Sequence, residues 1–169
     1  MCIRDGQLND AELLAVLAAQ VWLHTYATDG VNGEIARYVL SALAPERYLA
    51  LLNDPESHLF VAEHGACMVG FAVVKWGAPC PTDPARVAEL QTLYVQEHFL
   101  GHGVGKALLH AAESRVRALS GSALWLTVNA KNTRAKGFYA RQGYTKVGST
   151  DFVLGETRHE NDVLVGPGT

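Results

Sequence analysis

The segment from Leu90 to Leu109 constrains this chain more than any other. An apolar strand runs into Leu100-Gly101-His102-Gly103-Val104-Gly105-Lys106 and directly into an amphipathic helix. Glycines let the backbone turn freely and approach a ligand, while the first N–H groups of a helix and the positive end of its dipole face an anion. Each charge-assisted N–H contact is worth about 1.5–3 kcal/mol, so several together hold a pyrophosphate. Spacing separates the known loops of this kind. A Walker loop needs Gly at 100 and Ser or Thr at 107, where Leu100 and Ala107 stand. A dinucleotide fingerprint begun at Gly101 meets Lys106 where Gly or Ala is required, and one begun at Gly103 meets Leu108. Both readings fail.

The 169 residues fit one domain, residues 1–169, long enough to bury a core without disulfides or metal. A net charge of −3 argues against a nucleic-acid partner held by a basic surface. Cys2, Cys67 and Cys80 are an odd set without CxxC spacing, so neither a disulfide framework nor a zinc knuckle is indicated and a reducing cytoplasm is expected. The start of the chain lacks a basic region followed by an apolar stretch, and no segment offers the roughly 20 apolar residues that span a bilayer. The expectation is a soluble protein without a membrane partner.

Helical signals come first. Asn9 or Asp10 can cap a helix with Leu13, Leu14, Leu17 and Val21 on one stripe, a second fits 34–43, and Pro45 opens a third that Asn53-Asp54-Pro55 stops. From Leu59 the period changes to that of strands. Residues 59–62 and 67–76 form a hairpin, 86–96 reads as a strand, 103–119 as a helix ended by Gly121, and 123–128 as a strand. A short helix over 132–142 precedes three strand candidates at 144–147, 151–154 and 162–165, and the loose ends are the first few residues and the tail 166–169.

With the Walker and dinucleotide readings gone, Leu100-Gly101-His102-Gly103-Val104-Gly105 followed by Leu108-Leu109 resembles the acetyl-CoA loop of the GNAT superfamily of N-acetyltransferases. Downstream, Asn132-Thr133-Arg134-Ala135-Lys136-Gly137-Phe138-Tyr139 and then Gly143-Tyr144 is similar to that family's second signature, in order and at family spacing. Leu100 stands where the family usually has Gln or Arg, and Glu97 where a proline is frequent. Because the phosphate contacts are mainly backbone amides, Leu100 should weaken acetyl-CoA binding without abolishing it.

The resemblance implies an α+β fold, a single GNAT-like domain with a mixed, mostly antiparallel sheet of six or seven strands and four or five helices. The strands ending near Gln96 and starting at Ala123 would splay to admit acetyl-CoA, the co-substrate, with no metal. Leu100, Gly101, His102, Gly103, Val104, Gly105 and Lys106 would take the pyrophosphate. Leu93, Tyr94 and Val95 would pair through their backbone with the pantetheine amides, and Asn132, Ala135, Phe138 and Tyr139 would complete the cofactor site.

Chemistry gives Tyr139 its own case. Collapse of a tetrahedral intermediate expels a thiolate, which a phenol with a pKa near 10 can protonate. An amine acceptor is mostly protonated at neutral pH and must lose a proton before it attacks. Glu89, at the start of the strand feeding the glycine turn, is the candidate base, acting through water. No covalent enzyme intermediate is expected, since the cysteines fall outside both motifs. Trp22, Tyr26 and Trp76 are candidates for an acceptor pocket, and aromatic residues on apolar faces are also ordinary core. His98 and His102 flank the glycine turn and not a regular helix, so they do not read as metal ligands.

Trp22-Leu23-His24-Thr25-Tyr26, the helix of Glu34-Ile35 to Tyr38-Val39, and Phe152-Val153-Leu154-Gly155 with Asp162 look like a bacterial subgroup that includes polyamine acetyltransferases. A small-molecule amine such as a polyamine is therefore the expected acceptor. A peptide or protein amine, and a noncatalytic acyl-CoA-binding regulatory module, stay open beside it, as do monomer and homodimer.

Overall fold

The computed structural model describes residues 1–154 and 157–167, with the side chains at 152, 154 and 157 set aside. The strand motif at 152–155 therefore lies partly outside the described residues, as does the end of the tail at 168–169. Seven strands form one sheet, β1 (Cys2–Asp5), β2 (Ser57–His64), β3 (Cys67–Trp76), β4 (Ala88–Val95), β5 (Trp125–Asn129), β6 (Thr145–Leu154) and β7 (Thr157–Val165), in the order β1-β2-β3-β4-β5-β7-β6. Around them are α1 (Ala11–Tyr26), α2 (Gly33–Ala42), α3 (Pro45–Asn53), α4 (Val104–Ser120) and α5 (Thr133–Arg141). The α+β class and the mixed sheet are as the sequence implied. Strand β4 runs parallel to β5 with Glu89 opposite Trp125, while β1–β2, β5–β7 and β6–β7 are antiparallel.

Local chemistry explains the boundaries. Asn32 caps α2 by accepting the Ile35 N–H at 2.9 Å, Pro45 stands at the first turn of α3, and Gly121, at φ +65°, follows the end of α4. Asp10 precedes α1 without capping it through its side chain. Its carboxylate instead accepts the Gln7 N–H and two bonds from Arg4, which also holds Glu63. That network pins β1, and it corrects the expectation of a loose start. The buried stripe of α1 is Leu14, Leu17, Ala18 and Trp22; Leu13 is exposed, so the stripe is turned from the expected one. The expected strands at 144–147, 151–154 and 162–165 are two long strands, with a register shift between Lys146 and Gly148. A Cβ at Gly148 would lie 2.5 Å from Thr82 Cγ2, so any side chain there would displace Thr82.

The chain divides into two compact units, Met1–Val73 with Thr92–Ala112, and Val74–Gln91 with Glu113–Thr169. The first is centred on Leu14, Ala18, Val61, Val69, Phe71, Val104 and Leu108; the second includes Cys80, Trp125, Val163 and Val165 packed together. No described helix is long and apolar enough to cross a membrane.

Candidate functional site

In the first unit, β4 gives way to a short 3-10 turn, Glu97–Phe99, and then to the glycines. Gly101 and Gly103 both take φ +80°, a left-handed backbone that side chains rarely adopt, and no heavy atom lies within 4 Å of where a Cβ would stand on either. Conformation alone demands glycine here, and the space above the turn is open. The Ala107 N–H donates to the Gly103 carbonyl at 3.0 Å, so α4 begins at Val104 and the N–H groups of Val104, Gly105 and Lys106 have no partner within the helix. Lys106 is exposed, and His102 Nδ1 lies 3.0 Å from the Leu100 carbonyl. An open groove of about 480 Å³ runs beside the turn, lined by Ile3, Gly103, Lys106, Ala107, His110 and Ala111. Helix α1 braces the approach to the turn, with Gln96 donating to Gln20 at 3.2 Å and His24 3.3 Å from Glu97.

Leu93, Tyr94 and Val95 close β4 half-buried. Gly70 on β3 lets the two backbones meet there, since a Cβ would stand 2.8 Å from the Tyr94 carbonyl oxygen. A lone glycine inside a strand is the sequence signal of such an approach.

In the second unit, β5 turns into α5 through asparagines. The Asn129 side chain accepts the Lys131 N–H at 2.9 Å, and Asn132 caps α5 by accepting the Ala135 N–H at 3.0 Å. The Asn132 oxygen is thus committed to the helix, which leaves its amide N–H groups for a ligand. One turn further, Tyr139 is 8% exposed, with Phe138 5.1 Å and Tyr144 5.5 Å away between ring centres. Burial raises the Tyr139 phenol well above its ordinary range. Among the described residues its hydroxyl has no hydrogen-bond partner, whereas the Tyr144 hydroxyl donates to Glu113 at 3.0 Å. Tyr139 is a protonated donor with its proton uncommitted, and Tyr144 is a strut.

Helix α5 is held by an ion cluster that the sequence did not reveal. Lys136 Nζ lies 2.8 Å from Asp162 Oδ2 on β7 and donates to the Ala130 carbonyl, while Lys146 Nζ lies 2.5 Å from Asp162 Oδ1. Lys136, then Lys146, holds the buried Asp162 carboxyl below the usual carboxylate range. Glu89 is half-buried, and burial raises its carboxyl above the usual range. That shift moves it toward the pKa a general base needs near neutrality.

Of the acceptor candidates, Trp22 and Tyr26 pack against each other at 4.9 Å in the first unit, and Trp76 ends β3 half-buried in the second. Tyr38 and Tyr48 join the aromatic residues of the first unit, and neither was singled out from sequence, since residues so spread along the chain carry no motif. Among the described residues no group of three or more His, Cys, Asp or Glu is placed to hold a metal.

The family model described as Acetyltransferase (GNAT) family matches residues 20–144. An uncharacterized N-acetyltransferase of Mycobacterium tuberculosis is 32% identical over 158 residues, covering 94% of this chain and 97% of the relative. A spermidine N(1)-acetyltransferase of Thermoplasma acidophilum is 28% identical over 155 residues, covering 88% and 90%. In fold, the chain is similar to the PaiA N-acetyltransferase of Thermoplasma acidophilum solved with coenzyme A, with a TM-score of 0.71 at 20% identity over 96% of this chain and 98% of that one.

Proposed function

Because the chain belongs to the GNAT family of acetyltransferases, we propose that it carries an acetyl group from acetyl-CoA to the primary amine of a small molecule by direct attack. The observation that carries this reading is the turn at Gly101–Lys106, where two left-handed glycines leave open space above the free N–H groups of α4. The pyrophosphate rests on those amides, and Lys106 adds charge from the exposed rim. The backbone of Leu93, Tyr94 and Val95 pairs with the pantetheine amides, and the Asn132 amide, with Ala135 and Phe138 beside it, positions the arm.

The amine nitrogen attacks the thioester carbon, the C–S bond breaks, and Tyr139 gives its proton to the departing thiolate. Burial keeps the phenol protonated at neutral pH, and the transfer is driven by the charge that develops on the departing sulfur. Glu89, through water, takes the proton that the amine loses. The unpaired thiols Cys2, Cys67 and Cys80 suit a reducing cytoplasm as the place of action. The likeness to a spermidine acetyltransferase supports including a polyamine in any acceptor panel. The reading is tested by following thiol release from acetyl-CoA with and without amines. Release that depends on both enzyme and amine is the expected result, and saturable acetyl-CoA binding with no release on any amine would favour the noncatalytic module.

A further inference from the structure

Helix α5 carries the proposed proton donor and has little of its own to hold it in place. It is nine residues long with Gly137 in its interior, and among its described residues Tyr139 alone is buried. A helix so short is marginal in water, an interior glycine weakens it further, and one buried ring fixes neither its height nor its roll on the sheet. Lys136 supplies a second anchor. It stands three residues before Tyr139, and residues so spaced share a helix face. Its ammonium lies 2.8 Å from Asp162 Oδ2 on β7 and donates to the Ala130 carbonyl at 3.1 Å, so one cation ties the helix both to a strand and to the turn that leads into the helix. Asp162 is 1% exposed and sits in the interior of the sheet, opposite Val128 of β5 and Ser149 of β6. A buried ion pair is often no more stabilising than packed apolar side chains of the same volume, and what it can add is a fixed geometry. Lys146 Nζ takes the other oxygen, Oδ1, at 2.5 Å, so Asp162 keeps a counter-ion when Lys136 is removed.

We propose that Lys136 and Asp162 position Tyr139 for proton transfer, the pair fixing α5 on β7 so that the phenol meets the departing sulfur. The inference rests on the acetyl-transfer reading above. It makes Lys136 a positioning residue that acts through Tyr139 and touches neither substrate. A misplacement of about 1 Å at a reacting contact can cost as much as a hundredfold in rate, so a clamp of this kind is felt in kcat. Acetyl-CoA affinity should change little, since the pyrophosphate is assigned to backbone amides at Gly101–Lys106, in the other compact unit.

The test compares the parent, Lys136→Met, Tyr139→Phe and the double variant. Each is followed by thiol release from acetyl-CoA with spermidine, hexylamine and 2-phenylethylamine, and by calorimetric titration of acetyl-CoA. In Lys136→Met kcat should fall about tenfold, with the dissociation constant for acetyl-CoA within about twofold of the parent's. In the Tyr139→Phe background the same change should slow transfer by less than about twofold more, because the group it positions is already gone. A merely structural clamp would give the same loss in either background. That equal loss, or an unchanged kcat in Lys136→Met, would overturn the inference while leaving acetyl transfer standing. Lys136→Arg keeps a cation within reach of Asp162 and should hold kcat within about threefold of the parent. A loss of about tenfold there would overturn the inference as well, and this variant decides the matter if Lys136→Met does not fold. No release by the parent with any of these amines would count against acetyl transfer itself and take the inference with it.

Discussion

In the proposed reaction the glycine turn and the start of α5 would reach a ligand by opposite means. At Gly101–Lys106 the groups proposed to bind are backbone amides, and the side chains are absent, exposed, turned back on the loop or, at Val104, buried in the core. At Asn132–Tyr139 the backbone is consumed by the helix, and the proposed function lies in one amide and one phenol, the phenol held by packing and the helix by an ion cluster. The first region should therefore be indifferent to what its exposed side chains are and intolerant of any Cβ at two positions. The second should be the reverse. Binding and chemistry then separate by region: loss of a backbone conformation weakens acetyl-CoA, and loss of a side chain slows transfer.

The largest effect that would sharpen this contrast is at Tyr139. Tyr139→Phe keeps the ring and removes the proton donor, so kcat in the thiol-release assay should fall about 100-fold or more, the range of a general acid. Next comes Gly103→Val, which forces a β-branched residue into φ +80° at a cost of about 1–2 kcal/mol. Calorimetric titration should show acetyl-CoA binding weakened by about 5- to 30-fold, and unweakened binding would break the backbone half of the comparison.

Glu89 carries a smaller term. Because burial raises its pKa, its basic form is lost at a higher pH than for an ordinary carboxylate, and the rate of the parent should fall as pH drops through that value. In Glu89→Gln that acidic limb should vanish, with a rate about tenfold lower on the plateau. Asn132→Ala removes the cap of α5 at a cost of about 1 kcal/mol, seen as a melting temperature lower by roughly 2–4 °C. The smallest effect is expected at Lys106. Lys106→Ala should weaken acetyl-CoA by less than about threefold, and less still at high salt, since an exposed charge acts through water.

Both contrasted regions were legible in the sequence because each is written as a short run: glycines at fixed spacing before a helix, and an asparagine cap three residues ahead of an alanine. The remaining features were illegible for physical reasons. Strand β1 is four residues with Ile3 as its one aliphatic side chain, and its place comes from Arg4 bonding Asp10 and Glu63, partners that no local pattern announces. The β6–β7 hairpin pairs Asp151 with Glu160 and Val153 with Arg158, so the charged residues of its outer half interrupt the apolar alternation that marks a strand. Asp162 reads as a polar interruption in a strand until Lys136 and Lys146 are seen on either oxygen.

The most direct test of the division between backbone binding and side-chain chemistry is to titrate acetyl-CoA into Tyr139→Phe and measure its turnover on the same preparation. The account predicts a dissociation constant within about threefold of the parent beside a kcat lower by about two orders of magnitude. A kcat equal to the parent's, or a loss of binding as large as the loss of rate, would contradict it.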